Sequence, residues 1–236
     1  MVGGRRILVV VPARAGSAGV RHKNIHPLAG RPLIAHTGDL VGRLPWVDRA
    51  VVSTDGDAIA AAAMAAGLDA PFRRPEALGG PRIGDWDVLH HALVEMERID
   101  QVEYDVVVML QPTCPLRRPE HVRSTVDTLI DGGWQAVWTV TETDLKFHPL
   151  KALTIAADGR MDYADPRGAG ILARQQLTPT YHRNGAAYAL TRAALMDGGS
   201  LMGQAAGAVV IRDPLVNIDT IDDFARAEGA MAGESS

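Results

Sequence analysis

A chain of 236 residues with a formal net charge of −4 is long enough for one α/β domain with a sizeable core plus an excursion. The mild charge argues against a nucleic-acid or membrane surface, and aliphatic runs of about five residues fall far short of a membrane span. A single cysteine, Cys114, excludes an internal disulfide framework and a cysteine-based zinc cluster.

Residues 1–6 run directly into a strand without a charged-then-apolar leader, so a cytoplasmic location is expected. The first element is the aliphatic run 7–11 (I-L-V-V-V), read as a strand buried on both faces and stopped at Pro12. A loop follows with Arg14, Gly16, Ser17, Gly19, Arg21 and Lys23. Its glycines let backbone amides approach a ligand, and its three cations suit a phosphate or pyrophosphate cradle. Neither the Gly-Lys-Ser/Thr phosphate loop nor the G-x-G-x-x-G dinucleotide pattern fits this stretch.

Residues 25–30 read as a turn, and Pro32 suits the first turn of a helix over 33–43. A second strand over 49–53 ends in the polar pair Thr54 and Asp55, and an alanine-rich helix over 57–66 closes at Gly67. Strand and helix alternating at this spacing predict right-handed crossovers and a mostly parallel sheet, with ligands at the carboxyl ends of its strands. Residues 71–81 read as loop, 85–99 as a helix, 105–110 as a third buried strand, 119–131 as a helix and 135–140 as a fourth strand. Residues 141–183 break the rhythm and read as an excursion rather than a second domain, because they lack the apolar content for their own core. The excursion is rich in cations, which suits an anionic substrate or a packed second subunit. A strand over 186–190, a helix over 191–196, a last strand over 207–212 and a helix over 221–231 capped by Thr220 complete the chain.

Five separated segments carry a resemblance: P-A-R-A-G-S-A-G-V-R-H-K-N at 12–24, V-S-T-D at 52–55, R-R-P at 73–75, L-Q-P-T-C-P-L-R at 110–117 and R-Q-Q-L-T-P-T-Y-H-R-N-G-A-A-Y at 174–188. An imperfect sixth is N-I-D-T at 217–220. In this order they resemble the acylneuraminate cytidylyltransferases, which make CMP-activated sialic acids and related nine-carbon sugar acids. The resemblance implies a single domain over residues 1–236 with a three-layer α/β, Rossmann-like nucleotidyltransferase fold. It also implies that 141–183 is an inserted dimerisation and substrate-contacting element, and that the protein is a homodimer.

The activity so implied joins CTP to a keto-sugar acid through the anomeric hydroxyl, releasing pyrophosphate, with Mg2+ as cofactor. By the same resemblance Arg14, Lys23 and Asp219 are catalytic. Ala13, Arg14, Gly16, Ser17, Lys23, Asn24, Arg74 and Asp85 bind the nucleotide. Gln111, Thr113, Lys146, Arg174 and Tyr181 bind the sugar acid, and Asp219 with Asn217 holds the metal. Arg174 serves either its own site or a partner's. Asp222 and Asp223 read instead as helix-start carboxylates, and the scattered histidines share no ligand spacing.

Two positions depart from the family pattern. Asn217 stands where a second aspartate is common, which removes one negative charge from the metal site. Asp85 stands where many relatives have serine, and a carboxylate there repels phosphate unless a metal or arginine intervenes. The alternatives to a nonulosonic acid are another acidic acceptor, or a catalytically weak nucleotide-binding homologue.

Overall fold

A computed structural model describes residues 1–16 and 19–233. The run 7–11 forms strand β1 (Ile7–Pro12), whose aliphatic residues are wholly buried. A tight hairpin of β2 (Pro27–Leu28) and β3 (Arg31–Pro32) leads into helix α1 (Leu33–Val41). Pro32 therefore lies one residue outside the helix, in extended backbone at the N-cap, instead of in its first turn. Then come β4 (Arg49–Ser53), α2 (Asp57–Ala65), α3 (Asp85–Asp100), β5 (Val106–Met109), α4 (Pro119–Asp131) and β6 (Ala136–Glu142). A hairpin of β7 (Leu153–Ile155) and β8 (Met161–Tyr163) stands apart from the main sheet. The chain finishes with β9 (Tyr181–Thr191), α5 (Arg192–Asp197), β10 (Ala206–Val210) and α6 (Ile221–Gly233).

The sheet has six strands in the order β10-β6-β9-β5-β1-β4. Parallel pairing links β4 to β1, β1 to β5 and β6 to β10, while β9 runs antiparallel between β5 and β6. Alternation along β1 sends Ile7, Val9 and Val11 to one face, against Ile34 of α1, Ile59 of α2 and Val126 of α4. Leu8 and Val10 go to the other face, against Leu89, Leu93 and Met96 of α3. Helices on both faces make the three layers and leave both sides of the central strands dry. A smaller cluster of Val20, Leu28, Leu33, Ile218 and Phe224 seats α6 beside the first loop. Among the described residues, no helix is long and apolar enough to cross a membrane.

β9 is longer than its sequence suggests. Its first half, Tyr-His-Arg-Asn, is polar, yet Tyr181, His182 and Arg183 pair with Glu142, Thr141 and Val140 of β6. Between the pairs Val140–Arg183 and Trp138–Tyr188 the register slips, and β9 bulges. Asn184 is buried there: its carbonyl accepts from the Thr139 hydroxyl at 2.7 Å and the Ala186 amide at 3.2 Å, while its amide donates to the Thr141 hydroxyl at 3.1 Å. Gly185 sits at φ 74°, a left-handed conformation that side chains disfavour. Bulges of this kind re-aim the residues beside a site.

Candidate active site

The chain reverses direction across the sheet at β1: β4 is laid down on one side and β5 on the other. Ligands in such sheets bind outside the carboxyl ends of the strands at that switch. A cleft of about 590 Å³ opens there. Arg14, Lys23 and Asn24 from the first loop line it, together with Arg74, Asp85, Gln111, Thr113, Asn217 and Asp219. Segments spread over two hundred positions thus meet in one cavity.

The first loop is held from below. The Ala13 amide donates to the Ser53 carbonyl at 3.0 Å, and the Ala15 amide to the Asp55 carboxylate at 2.7 Å. Asn24, buried, donates to the Arg14 carbonyl at 3.1 Å. Lys23 donates to the Ile218 carbonyl at 2.9 Å and the Asp219 carboxylate at 2.8 Å, which joins the loop to the segment before α6. Gly19 makes that closeness possible, since a Cβ there would lie 2.3 Å from the Asp219 carbonyl. The Asp223 carboxylate accepts from the backbone amides of Asp219 and Thr220, and from the Thr220 hydroxyl at 2.8 Å. Asp223, the third residue of α6, thus reaches back over the residues that precede the helix, and Thr220, expected to cap α6 with its own oxygen, donates its hydroxyl to that carboxylate. The three bonds hold the Asp223 carboxyl below the usual carboxylate range, the Asp219 amide contributing most.

Arg74 is buried at the cleft floor, donating to the Ser53 hydroxyl at 3.2 Å and to the Ser53 carbonyl. Burial pulls its pKa down, while Asp55 and Asp85 oppose that shift. Asp85 opens α3; burial pushes its carboxyl above the ordinary range, and Arg183 and Arg74 act through space in the opposite sense. The two arginines are the intervening cations that a carboxylate at this position calls for.

The strand-end segment after β5 is fixed by an arginine that, among the described residues, has no carboxylate partner. Arg117, buried, donates to the carbonyls of Gln111, Cys114 and Ala186, the last two at 2.8 and 3.1 Å. The Ile218 amide donates to the Thr113 carbonyl at 2.8 Å. A Cβ on Gly185 would lie 3.0 Å from Gln111 Oε1 and 3.5 Å from Asn217 Oδ1, so these two side chains converge over the bulge.

Not every expected residue lines the cleft. Ala13 is buried beneath the loop, Gly16 has open space around it and Ser17 lies outside the described residues. Lys146, Arg174 and Tyr181 are exposed away from the cavity, and Lys146 pairs with Asp144 at 3.3 Å. In their place the bulge brings Arg183, Gly185 and Tyr188, with the Tyr188 hydroxyl accepting from the Gly185 amide at 3.1 Å. The signal for them was inside the fifth motif, but their aim depends on the bulge.

Comparison with known proteins agrees with this geometry. A family model described as cytidylyltransferase matches residues 8–198. The chain is 32% identical over 231 residues to a CMP-N,N'-diacetyllegionaminic acid synthase from Legionella pneumophila, covering 96% of each chain. It is 29% identical to an N-acylneuraminate cytidylyltransferase from Streptococcus agalactiae serotype V over 95% of its own length, and spans 53% of that protein. In fold it is similar to a CMP:2-keto-3-deoxy-manno-octonic acid synthetase solved in complex with CTP, with a TM-score of 0.70, 19% identity, and coverage of 97% of this chain and 99% of that one. A nucleotide-sized cleft at the switch of the sheet, the motifs that line it and a family match over most of the sequence lead to one conclusion: the chain belongs to the cytidylyltransferase family of nucleotidyltransferases.

Proposed function

We propose that the chain transfers CMP from CTP to the anomeric hydroxyl of a nonulosonic, sialic-type sugar acid and releases pyrophosphate. The observation that carries this reading is the meeting of Arg14, Lys23 and Asn24 with Gln111, Thr113 and Asp219 in one cleft. The names of its relatives in Legionella and Streptococcus point to the same acceptor class.

In this reading the hydroxyl oxygen forms a bond to the α-phosphorus, and the bond from that phosphorus to the bridging oxygen of the β-phosphate breaks. The barrier lies in bringing two anions together and in the charge that builds on pyrophosphate, so the chain acts mainly by positioning and charge neutralisation. Arg14 and Lys23 neutralise the triphosphate, with Gly16 beside them and Ala13 beneath. Asn24 fixes the loop, Gln111 and Thr113 orient the sugar, and Asp219 accepts the hydroxyl proton.

A magnesium ion fits the donor set. Among the described residues no group of three or more His, Cys, Asp or Glu side chains forms a cage. Asp219 and Asn217 both line the cleft, however, and magnesium is commonly held by one or two carboxylates plus substrate phosphates and water. Those two side chains would hold it, and when bound it supplies charge neutralisation at the phosphates.

Lys146 and Arg174 lie on the excursion and Tyr181 at the start of β9, all three outside the lining of their own cleft. In a homodimer they face the sugar acid in the partner's cleft, with Arg174 pairing its carboxylate. The excursion also exposes Phe147, Ile155, Met161 and Leu172, an apolar surface suited to a second copy.

The test is pyrophosphate release with magnesium, each of the four nucleoside triphosphates and a panel of keto-sugar acids. Release with CTP and a nonulosonic acid is the expected result. Release with CTP and an octulosonic acid alone would replace the acceptor, and CTP binding without release on any acid would favour a nucleotide-binding protein.

A further inference from the structure

The wall of the cleft formed by residues 78–88 differs in kind from the first loop. Leu78, Gly80, Pro81, Ile83 and Val88 line it, and Asp85 is its single charge facing the cavity. A triphosphate is repelled by that carboxylate and finds its cations at Arg14 and Lys23 instead. The part of a nucleotide that suits an apolar wall with one fixed charge is the base, which has apolar faces and a polar edge.

The polar groups at this wall have opposite, fixed roles. An ionised carboxylate only accepts hydrogen bonds, and a guanidinium only donates them. Arg74 commits Nε and Nη2 to Ser53, leaving Nη1 without a partner among the described residues. Among the described residues no hydrogen bond reaches the Asp85 carboxylate, and Arg74 and Arg183 act on it through space, so its oxygens are available to a ligand.

Cytosine presents an N4 amine donor beside its ring-nitrogen and O2 acceptors, which is the complement of this acceptor–donor pair. Uracil presents the inverse, an O4 acceptor beside an N3–H donor. Adenine shares the cytosine pattern but adds a second ring, so the competitor that isolates the polar readout is UTP.

We propose that Asp85 accepts from the N4 amine of cytosine while Arg74 donates to the adjacent acceptor edge, making the pair the base discriminator of the cleft. This rests on the reading that CTP is the nucleotide. It also gives the departure from serine at this position a purpose. A carboxylate can only accept, so it rejects a carbonyl at the same place, whereas a hydroxyl tolerates either.

The experiment compares wild type with Asp85→Asn and Asp85→Ser. It measures kcat/KM for CTP and for UTP, KM for the sugar acid, and binding of both nucleotides by calorimetry, with circular dichroism as the check on folding. Loss of a hydrogen bond to a charged group predicts a CTP-to-UTP preference reduced by roughly tenfold to a hundredfold, through the nucleotide KM, with the acid KM unchanged. The serine variant supplies the answer if the asparagine variant does not fold. An unaltered preference in a folded variant overturns the assignment of Asp85 and leaves the CTP reading intact. So does an effect confined to the acid KM, which would put the carboxylate against the sugar. Failure of the wild type to bind CTP overturns both.

Discussion

Lys23 holds two oxygens of one segment, the Ile218 carbonyl and the Asp219 carboxylate, while only 15% of its side chain is exposed. An ammonium group kept that dry is a strong partner for a phosphate oxygen, because little water has to be removed when the nucleotide arrives. Its acidic partner is 70% exposed and is solvated without it, so truncation adds little strain to the fold. Lys23→Ala is therefore expected to lower kcat by about two to three orders of magnitude, with an unaltered circular dichroism spectrum. Single-turnover formation of the CMP-sugar at saturating CTP measures this, and near-normal turnover would remove Lys23 from the catalytic group. Arg117 illustrates the opposite use of a cation: buried among three carbonyls, it holds the Gln111–Cys114 turn and the Ala186 bulge in one frame.

At the level of elements, the site depends on two devices that shape chain ends. One is the start of α6, where Asp223 gathers the amides of Asp219 and Thr220 and so fixes the backbone of the proposed metal residue. Removing a helix-start acceptor costs about 1 kcal/mol, so Asp223→Ala should lower stability by that order and raise the magnesium concentration needed for half-maximal activity. The direction with pH follows from its depressed pKa. The folded state releases the proton more readily than the unfolded chain, so the contribution is fully present above the ordinary carboxylate range. It is lost as pH falls through the lower folded value. Melting curves of wild type and Asp223→Ala should thus converge on acidification below about pH 4; a constant gap would mean that the carboxylate acts only through packing. The other device is the β9 bulge. The parallel strands were legible because each is a short aliphatic run followed by polar residues at one rim, and Pro12, Asp55 and Gln111 fell where that pattern predicted. The direction and full length of β9 were not, because an apolar run such as A-A-Y-A-L carries no sign of which way it lies between its neighbours, and the polar Tyr181–Arg183 reads as loop until β6 pairs with it. Arg183 and Tyr188 were hidden by that same gap, since their approach to the cleft is set by three residues that have no counterpart on the partner strand. The role of Pro32 was missed for a smaller reason: the left-handed pair Ala29 and Gly30 closes a hairpin immediately before the helix, leaving no room for the proline inside it.

For the whole molecule, one cleft gathers the residues proposed to face the nucleotide, while the excursion carries the cations proposed to face the sugar acid away from it. The excursion, expected over 141–183, narrows to residues 143–180 because β6 and β9 take up its two ends; it contributes a two-stranded hairpin and short turns, and exposes Leu172 and Ile155 to 89% and 73%. Large aliphatic side chains are seldom left so open on one element of a monomer, and a second copy related by a two-fold axis would cover them. The same axis would carry Arg174 of each copy toward the other's cleft, and this arrangement can be tested without knowing the dimer's geometry. Lys23→Ala and Arg174→Ala are each expected to be nearly inactive as homodimers. In a heterodimer of the two, with Arg174 acting in the partner's cleft, one cleft combines both defects and the other has neither. Random mixing of subunits should then restore activity to about a quarter of the wild-type level. If Arg174 serves its own cleft, both clefts of every heterodimer stay defective and mixing restores nothing. Co-expression with two affinity tags isolates the heterodimer, and light scattering on the same sample establishes that two chains are present; a monomer in that measurement would sink the shared-site arrangement altogether.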